Sequence, residues 1–250
     1  MNIILCPTDF LHRKLSSKMA NLIEASREGN LERVVGLIKA GVDVYAENDE
    51  ALREASSYGH VEVVKLLLEA GADVHAENNR ALRLASIHGH AEVVKLLIEA
   101  GADVHIWNDR ALREASLNGH AEVVKLLLEA GANVHAGDNE ALRWTSEYGH
   151  AEVVKLLLEA GADVHVWHDE ALRKASFNGH TEVVKLLLGA GADVHARDNT
   201  PLKMAFQKKH VKVFEILVDH GADISCVVDD KMRNMIEYLP VNQRRVVVYA

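Results

Sequence analysis

The stretch Glu62-Val-Val-Lys-Leu-Leu-Leu-Glu-Ala-Gly-Ala-Asp-Val-His75 decides the fold, because it returns along the chain. Near-identical copies follow at a period of 30 residues, beginning at Glu92, Glu122, Glu152 and Glu182. Two looser copies begin at Glu32 and Lys212. Self-similarity at a fixed period of this length indicates a stack of identical supersecondary units. We therefore predict seven repeats over residues 19–228.

Each repeat begins with a short acceptor side chain followed by a short amphipathic segment. From the second repeat onward this first position is Asp or Asn, as at Asp49, Asn79, Asp109, Asn139, Asp169 and Asn199. Such a side chain is typical of a helix N-cap. Leu52 and Ala55 lie three residues apart and give the first helix one apolar stripe.

The second half of the repeat predicts a second helix over Val61–Ala70. Val63, Val64, Leu67 and Leu68 share one face of it, and Glu and Lys residues occupy the other. Gly71 supplies a left-handed stop, and a short extended turn is expected after Val74. Neither helix can bury its stripe alone, so the units must stack into a helical solenoid.

The bulk composition narrows the classes of function. The chain has 250 residues, a formal net charge of −9 and a pI of about 5.9, which argues against general nucleic-acid binding. Its two cysteines, Cys6 and Cys226, are too few for a disulfide framework and suit a cytoplasmic or other reducing intracellular compartment. The apolar run at residues 3–6 is too short for a signal sequence, and nothing approaches a membrane span.

The recurring run Gly59-His60-x-Glu62-Val-Val-Lys-Leu-Leu-Leu-x-x-Gly71-Ala-Asp-Val resembles the ankyrin repeat over residues 19–228. The usual ankyrin unit is longer by about three residues, and its Thr-Pro-Leu-His opening is here Glu-Ala-Leu-Arg at residues 50–53. Only Thr200-Pro201-Leu202 keeps the usual wording. The resemblance implies an all-α ankyrin-repeat solenoid of stacked helix-turn-helix units with short, blunted turns between repeats. The shortened unit is similar to arrays in large DNA viruses of amoebae.

These observations divide the chain into three parts. Residues 1–18 form an N-terminal extension and a candidate capping helix, since Leu11, Leu15, Met19 and Leu22 have helical spacing. Residues 229–250 form a candidate C-terminal capping helix and an apolar tail. Between them lie seven repeats, at residues 19–48, 49–78, 79–108, 109–138, 139–168, 169–198 and 199–228.

Columns of identical residues are better explained by the repeat than by a chemical site. Eleven of the fifteen histidines fall in two columns, those of His60 and His75, and ladder members lie too far apart to converge on one metal. By resemblance, the His60 column bonds to neighbouring backbone. The arginine column of Arg53 has two readings, structural pairing or binding of a polyanion. A serine column supplies no unique nucleophile with a base. We expect no enzyme, no cofactor and no metal.

Function is expected at the columns that vary between repeats. These are positions 76–78, 50, 54 and 57–58 and their equivalents, which the resemblance places along the concave groove that ankyrin domains use for partners. Tyrosine and tryptophan dominate interface hot spots. The candidate partner-binding residues are Tyr58, Ile87, Trp107, Asp109, Arg110, Leu117, Trp144, Tyr148, Trp167 and Phe177. Four charges are expected at the rim, namely Arg80, Asp109, Arg110 and Glu170.

Each tryptophan also has a structural alternative. Trp144 shares a column with Leu84 that packs between repeats in the family, and Trp107 and Trp167 could fold back onto the array. The leading hypothesis is a non-catalytic protein-interaction scaffold, monomeric rather than homo-oligomeric, without nucleic-acid or membrane partners. An adaptor whose C-terminal segment recruits a second partner, and a self-associating structural element, are the alternatives.

Overall fold

A computed structural model describes residues 19–227, and contacts divide the chain into two compact units, Met1–Asn133 and Val134–Ala250. No strand occurs between residues 19 and 227, so the described part of the chain is all-α. The two candidate capping segments, residues 1–18 and 229–250, and the adaptor hypothesis that depends on the second of them, lie outside the described residues.

The first unit contains helices α1 to α8. They are α1 (described over residues 19–27), α2 (Leu31–Lys39), α3 (Ala46–Ser57), α4 (Val61–Glu69), α5 (Ala76–His88), α6 (Ala91–Glu99), α7 (Ile106–Leu117) and α8 (Ala121–Glu129). Helices α3, α5 and α7 pack against one another in that order, and α2, α4, α6 and α8 form a second row. Each helix of the first row also packs against the helix that follows it, which is the helical-repeat arrangement that the sequence predicts.

The second unit repeats this arrangement over residues 134–227. Its helices are α9 (Ala136–Tyr148), α10 (Ala151–Glu159), α11 (Val166–Asn178), α12 (Thr181–Gly189), α13 (Ala196–Gln207) and α14 (Val211–Asp219), followed by a 3₁₀ turn at Ile224–Cys226. Helices α9, α11 and α13 form one row, and α10, α12 and α14 form the other.

The second helix of each repeat is close to its predicted extent. Helix α4 ends at Glu69 and Ala70 is its C-cap residue, so the predicted range Val61–Ala70 is confirmed to within one residue. Val63, Val64 and Leu67 are at most 1% exposed, as are Leu52 and Ala55 of the preceding helix. Burying these side chains between stacked helices is the main stabilising term, at roughly 1.5–3 kcal/mol for each large aliphatic side chain.

The turn between repeats is left-handed, and the predicted extended turn is wrong. Glu47, Asn48 and Asp49 have φ values of 54°, 56° and 57°, inside the segment assigned to α3. The same three-residue left-handed turn recurs at residues 77–79, 107–109, 137–139, 167–169 and 197–199. Each non-glycine residue in this conformation costs roughly 1–2 kcal/mol, so other interactions must hold the turn.

The Asp/Asn column supplies the first of these interactions, and it is not the N-cap that the sequence predicts. Oδ1 of Asp49 accepts the backbone amide of Asp73 at 2.8 Å, and Asp49 is only 4% exposed. Equivalent bonds of 2.8–3.1 Å span 24 residues at Asn79, Asp109, Asn139, Asp169 and Asn199. Each bond therefore ties the start of a repeat to the loop that follows its second helix.

The arginine column supplies the second interaction at three of the turns. Nη2 of Arg53 donates to the carbonyl of Glu47 at 3.0 Å. Arg113 donates to the carbonyls of Trp107 and Asn108, and Arg173 to those of Trp167 and His168, at 2.9–3.1 Å. A guanidinium is suited to this task because its fork of donors can satisfy two carbonyls that a left-handed turn leaves facing outward.

The His60 column joins successive repeats. Nε2 of His60 donates to the carbonyl of Arg27 at 2.9 Å, and His90, His120, His180 and His210 make the equivalent bond 33 residues back at 2.8–3.0 Å. This bears out the expectation that the column bonds to neighbouring backbone. The histidine ring also lies against a left-handed glycine of the preceding repeat, so a Cβ built on Gly89 would be 2.6 Å from Nδ1 of His120.

We predict opposite effects for two glycine-to-alanine changes. Gly89→Ala should lower the free energy of unfolding by about 1 kcal/mol or more, because the residue has φ +78° and no room for a Cβ. Gly36→Ala, within helix α2 and with nothing within 4 Å, should raise it by about 1 kcal/mol. Urea unfolding followed by circular dichroism measures both, and equal stabilities for the two variants would contradict the close contact with His120.

A second pair of changes tests the left-handed turn. Glu47→Gly should stabilise the protein by roughly 0.5–1 kcal/mol, because it removes a left-handed L-residue and keeps the carbonyl that accepts from Arg53. Gly137→Val should destabilise it by about 2 kcal/mol, since φ at this position is 60° and a β-branched residue strongly disfavours that region. Thermal or urea unfolding provides the readout. Two neutral results would rule out a left-handed turn.

Candidate functional site

Two tryptophans stand at the first position of a left-handed turn. Trp107 has φ 55° and is 63% exposed, and Trp167 has φ 54° and is 56% exposed. The alternative in which these rings fold back into the array is therefore wrong, because more than half of each residue's surface is exposed to solvent. At the equivalent position of the turn between them in sequence, the chain has Gly137.

A second group of predicted residues lies at the other end of the first helices. Tyr58 is the C-cap residue of α3, while Ile87 and Leu117 lie in the last turns of α5 and α7. Tyr58 is 55% exposed and stacks on His60 with ring centroids 6.3 Å apart, whereas Ile87 and Leu117 are partly buried. The left-handed turn therefore lies at the start of each of these helices, and the residue of this second group lies at its end.

The second unit carries the same helix-end group. Tyr148 is 58% exposed and stacks on His150 with centroids 6.5 Å apart. Phe177 is 38% exposed, and Nζ of Lys208 lies 4.3 Å from the centroid of its ring, which is the geometry of a cation–π contact. Trp144, in the middle of α9, is partly buried.

Asp109 is wrongly predicted as a rim charge. The residue is 4% exposed, and its Oδ1 accepts the backbone amide of Asn133 at 2.8 Å and lies 3.0 Å from Nδ1 of His105. This carboxylate belongs to the structural column and has no surface to offer a partner. Arg110, the next residue, is exposed.

An open depression surrounds Trp107 in the first unit. Its volume is about 360 Å³, and its lining consists of Glu77, Asn78, Arg80, Arg83, Trp107 and Arg110. The crevice beneath it has a volume of only about 10 Å³ and is lined in part by Asp103, whose carboxylate accepts the amide of His105. A space of that size holds about one water molecule, so a ligand would lie in the depression without penetrating the repeat below.

Two glutamates hold the arginines of this depression in place. Oε2 of Glu77 accepts from Arg53 at 2.7 Å and from Arg80 at 2.6 Å. The hydrogen bond from Arg80, together with the charges of both arginines, lowers the pKa of Glu77. Oε1 of Glu114 accepts from Arg110 at 2.8 Å and lies 3.3 Å from Nη1 of Arg83. Each carboxylate is thus shared by two guanidinium groups.

Trp167 has different neighbours. The guanidinium carbon of Arg143 lies 5.9 Å from the centroid of the indole, and Nε of the same arginine donates to Glu170 at 2.6 Å. Glu170 and Glu140 occupy the column that Arg80 and Arg110 occupy in the first unit. Arg173 donates to the carbonyls of the turn that carries Trp167. Burial, with a smaller contribution from the charge of Arg197, lowers the pKa of Arg173.

Two residues at or near these surfaces, Glu77 and Tyr45, were missed as site candidates. Glu77 lines the depression together with Arg83, a member of the arginine column. Glu114, which supports the depression, follows Arg83 by 31 residues and Arg110 by four. Tyr45 is 55% exposed and departs from a column that is otherwise histidine through residue 195. That departure could have identified it.

Other chemistry has little support within residues 19–227. The serine column, Ser26, Ser56, Ser86, Ser116, Ser146 and Ser176, has 0% exposure, so these hydroxyls cannot reach a substrate. No three His, Cys, Asp or Glu side chains of this region come together as a metal-binding group. None of its helices combines the length and the apolar character that crossing a membrane requires.

Comparison with known proteins agrees with this architecture. A family model described as "Ankyrin repeats (3 copies)" matches residues 22–108, 105–167 and 142–227. Among solved structures, the human ASB11 ankyrin repeat domain is similar, with a TM-score of 0.71 and 31% sequence identity, over 81% of this chain and 98% of that one. No curated protein sequence matches. Ankyrin repeats generally mediate protein–protein interaction and form a non-catalytic scaffold. With paired helices stacked in rows, and the family model matching almost the whole described region, the chain belongs to the ankyrin-repeat family.

Proposed function

We propose that this chain is a non-catalytic scaffold that binds a protein partner through the side chains of its left-handed turns and first helices. The observation that carries the proposal is the pair of exposed tryptophans in left-handed backbone. Each unit has one such residue, Trp107 in the first and Trp167 in the second.

The physical argument compares tryptophan with the residues that suit this position. A left-handed L-residue costs roughly 1–2 kcal/mol, and glycine, which the chain uses at residue 137, avoids that cost. The exposed indoles bury little apolar area in the core, so their packing does not offset this cost. A large apolar side chain that is both strained and exposed is therefore better explained by contact with a partner than by folding.

The side chains at the other ends of the first helices fit the same role. Tyr58, Tyr148 and Phe177 are exposed there, and Ile87 and Leu117, in the last turns of their own helices, are partly buried. Aromatic anchors of this kind bury much area at low entropic cost, and surrounding polar groups set the on-rate. Arg110 and the partly buried Trp144 remain in the proposed set, and the buried Asp109 is removed from it.

The proposal includes the class of partner and the state of the chain. The partner is a protein, since a net charge of −9 opposes association with a polyphosphate backbone. The chain acts as a monomer in a reducing intracellular compartment. A concentration-dependent mass in sedimentation experiments would instead favour self-association through the exposed tryptophans.

The decisive variant is Trp107→Gly/Trp167→Gly. Glycine accepts φ near 55° without strain, so the double variant should fold at least as stably as the wild type while it loses both indoles. Affinity capture from an extract of the source organism, followed by titration of the captured protein, measures the effect. For a hot-spot tryptophan we expect a loss of about 2 kcal/mol or more, roughly thirtyfold in Kd.

A matched control makes the same backbone change without removing an aromatic ring. Glu47→Gly/Arg197→Gly alters the same position of the turn in two other repeats. This control should retain the partner that the tryptophan variant loses. Identical sets of captured proteins from all three chains would refute the proposed surface.

A further inference from the structure

The depression around Trp107 is a basic spot on an acidic chain. Its charged lining residues are Glu77, Arg80, Arg83 and Arg110, an excess of two positive charges where the whole chain carries −9. Arg53 and Glu114, which support this lining, offset one another, and an excess of one positive charge remains when Asp103 of the crevice beneath is also counted. A ligand with negative charge is therefore favoured here.

The two shared glutamates leave donors available. A guanidinium has five N–H donors, and Arg80 and Arg110 each use one of them in an ion pair, to Glu77 and Glu114. Their side chains are 45% and 49% exposed, against 28% for Arg83. The ion pairs thus orient the guanidinium groups and leave much of each one open to solvent, which is the arrangement that a carboxylate ligand requires.

The second unit supplies an internal contrast. The second unit has a tryptophan, Trp167, at the position equivalent to Trp107. In the column that Arg80 and Arg110 occupy, however, it has Glu140 and Glu170. Because the aromatic ring is common to both units and the neighbouring charge is reversed, charge is the property that distinguishes the partner segment of the Trp107 surface.

We propose that the depression around Trp107 binds an acidic segment of a protein partner, with carboxylates on Arg80 and Arg110 and an apolar side chain against the indole. The inference rests on the proposed function and names the chemistry of the partner. Nucleic acid is disfavoured by the presence of Glu77 in the lining and by the long-range field of an acidic chain.

The test uses two synthetic peptides on the full chain. One has alternating Glu and Asp around a central Leu, and its partner has Gln and Asn in place of every carboxylate. The three tryptophan indole N–H signals, assigned with Trp→Phe variants, report where a peptide binds. We expect the acidic peptide to shift the Trp107 signal saturably and to leave the Trp167 signal unchanged, and the amide peptide to shift neither.

The matched charge variants separate a local site from a general charge effect. Arg80→Glu/Arg110→Glu should weaken binding of the acidic peptide by about tenfold or more, because carboxylates that repel the peptide replace both exposed guanidinium groups. Its fold should survive, because the chain itself has glutamate in this column at Glu50, Glu140 and Glu170. Lys65→Glu/Lys125→Glu changes the net charge equally on the exposed face of α4 and α8, and should keep the affinity within about twofold.

Several outcomes would overturn the inference. They are equal weakening by the two charge variants, a shift of the Trp167 signal alone, equal binding of the amide peptide, and tighter binding of an oligothymidylate than of the acidic peptide. If Arg80→Glu/Arg110→Glu failed to fold, Arg80→Gln/Arg110→Gln would take its place, with the same ranking expected.

The failure of this inference differs from the failure of the proposed function. Loss of a captured protein from Trp107→Gly/Trp167→Gly, with no peptide shift at Trp107, would keep the scaffold and reject its acidic ligand. A peptide shift at Trp107, with capture unaffected by loss of both indoles, would reject the scaffold surface as proposed.

Discussion

A single buried oxygen atom in each of the second to sixth repeats organises the structure around it. Oδ1 of Asp109 accepts the amide of Asn133 and lies next to the ring nitrogen of His105, so it joins its own turn to the loop that follows the second helix. Because the atom is almost fully buried, its bonds are not in competition with water, and leaving the amide unpaired would cost about 1–3 kcal/mol. The same residue is the last of the three left-handed residues, so the turn and everything displayed on it depend on this bond.

The helices of this fold follow from local sequence, and the turns do not. Val63, Val64 and Leu67 have the spacing of one helical face, and Gly71 marks its end, so the second helix could be predicted almost to the residue. Left-handed backbone is normally expected at glycine or asparagine. Glu47 and Trp107 adopt it only because bonds that span 24 residues hold the turn, and no local preference reveals such bonds.

The columns that vary include several exposed aromatic side chains, and the differences between prediction and structure have physical causes. A rim role for Asp109 requires an exposed carboxylate, but here a backbone amide supplies the partner that permits its burial. The arginine column shows why identical letters behave differently. Arg83 forms an ion pair with Glu114, which lies 31 residues further along the chain. The position 31 residues after Arg53 is Leu84, which carries no charge, and Arg53 bonds to its own turn.

The shortness of the left-handed turn has a consequence for how such a chain diversifies. Surface loops ordinarily tolerate insertions, and many binding proteins change specificity by changing loop length. Here each turn lies between an amide that is tied to the preceding repeat, such as that of Asp73, and an acceptor oxygen, such as Oδ1 of Asn79, so an inserted residue would move the acceptor oxygen away from its amide. New specificity must therefore arise by exchange of side chains on a fixed backbone. New length must arise by gain or loss of entire 30-residue units.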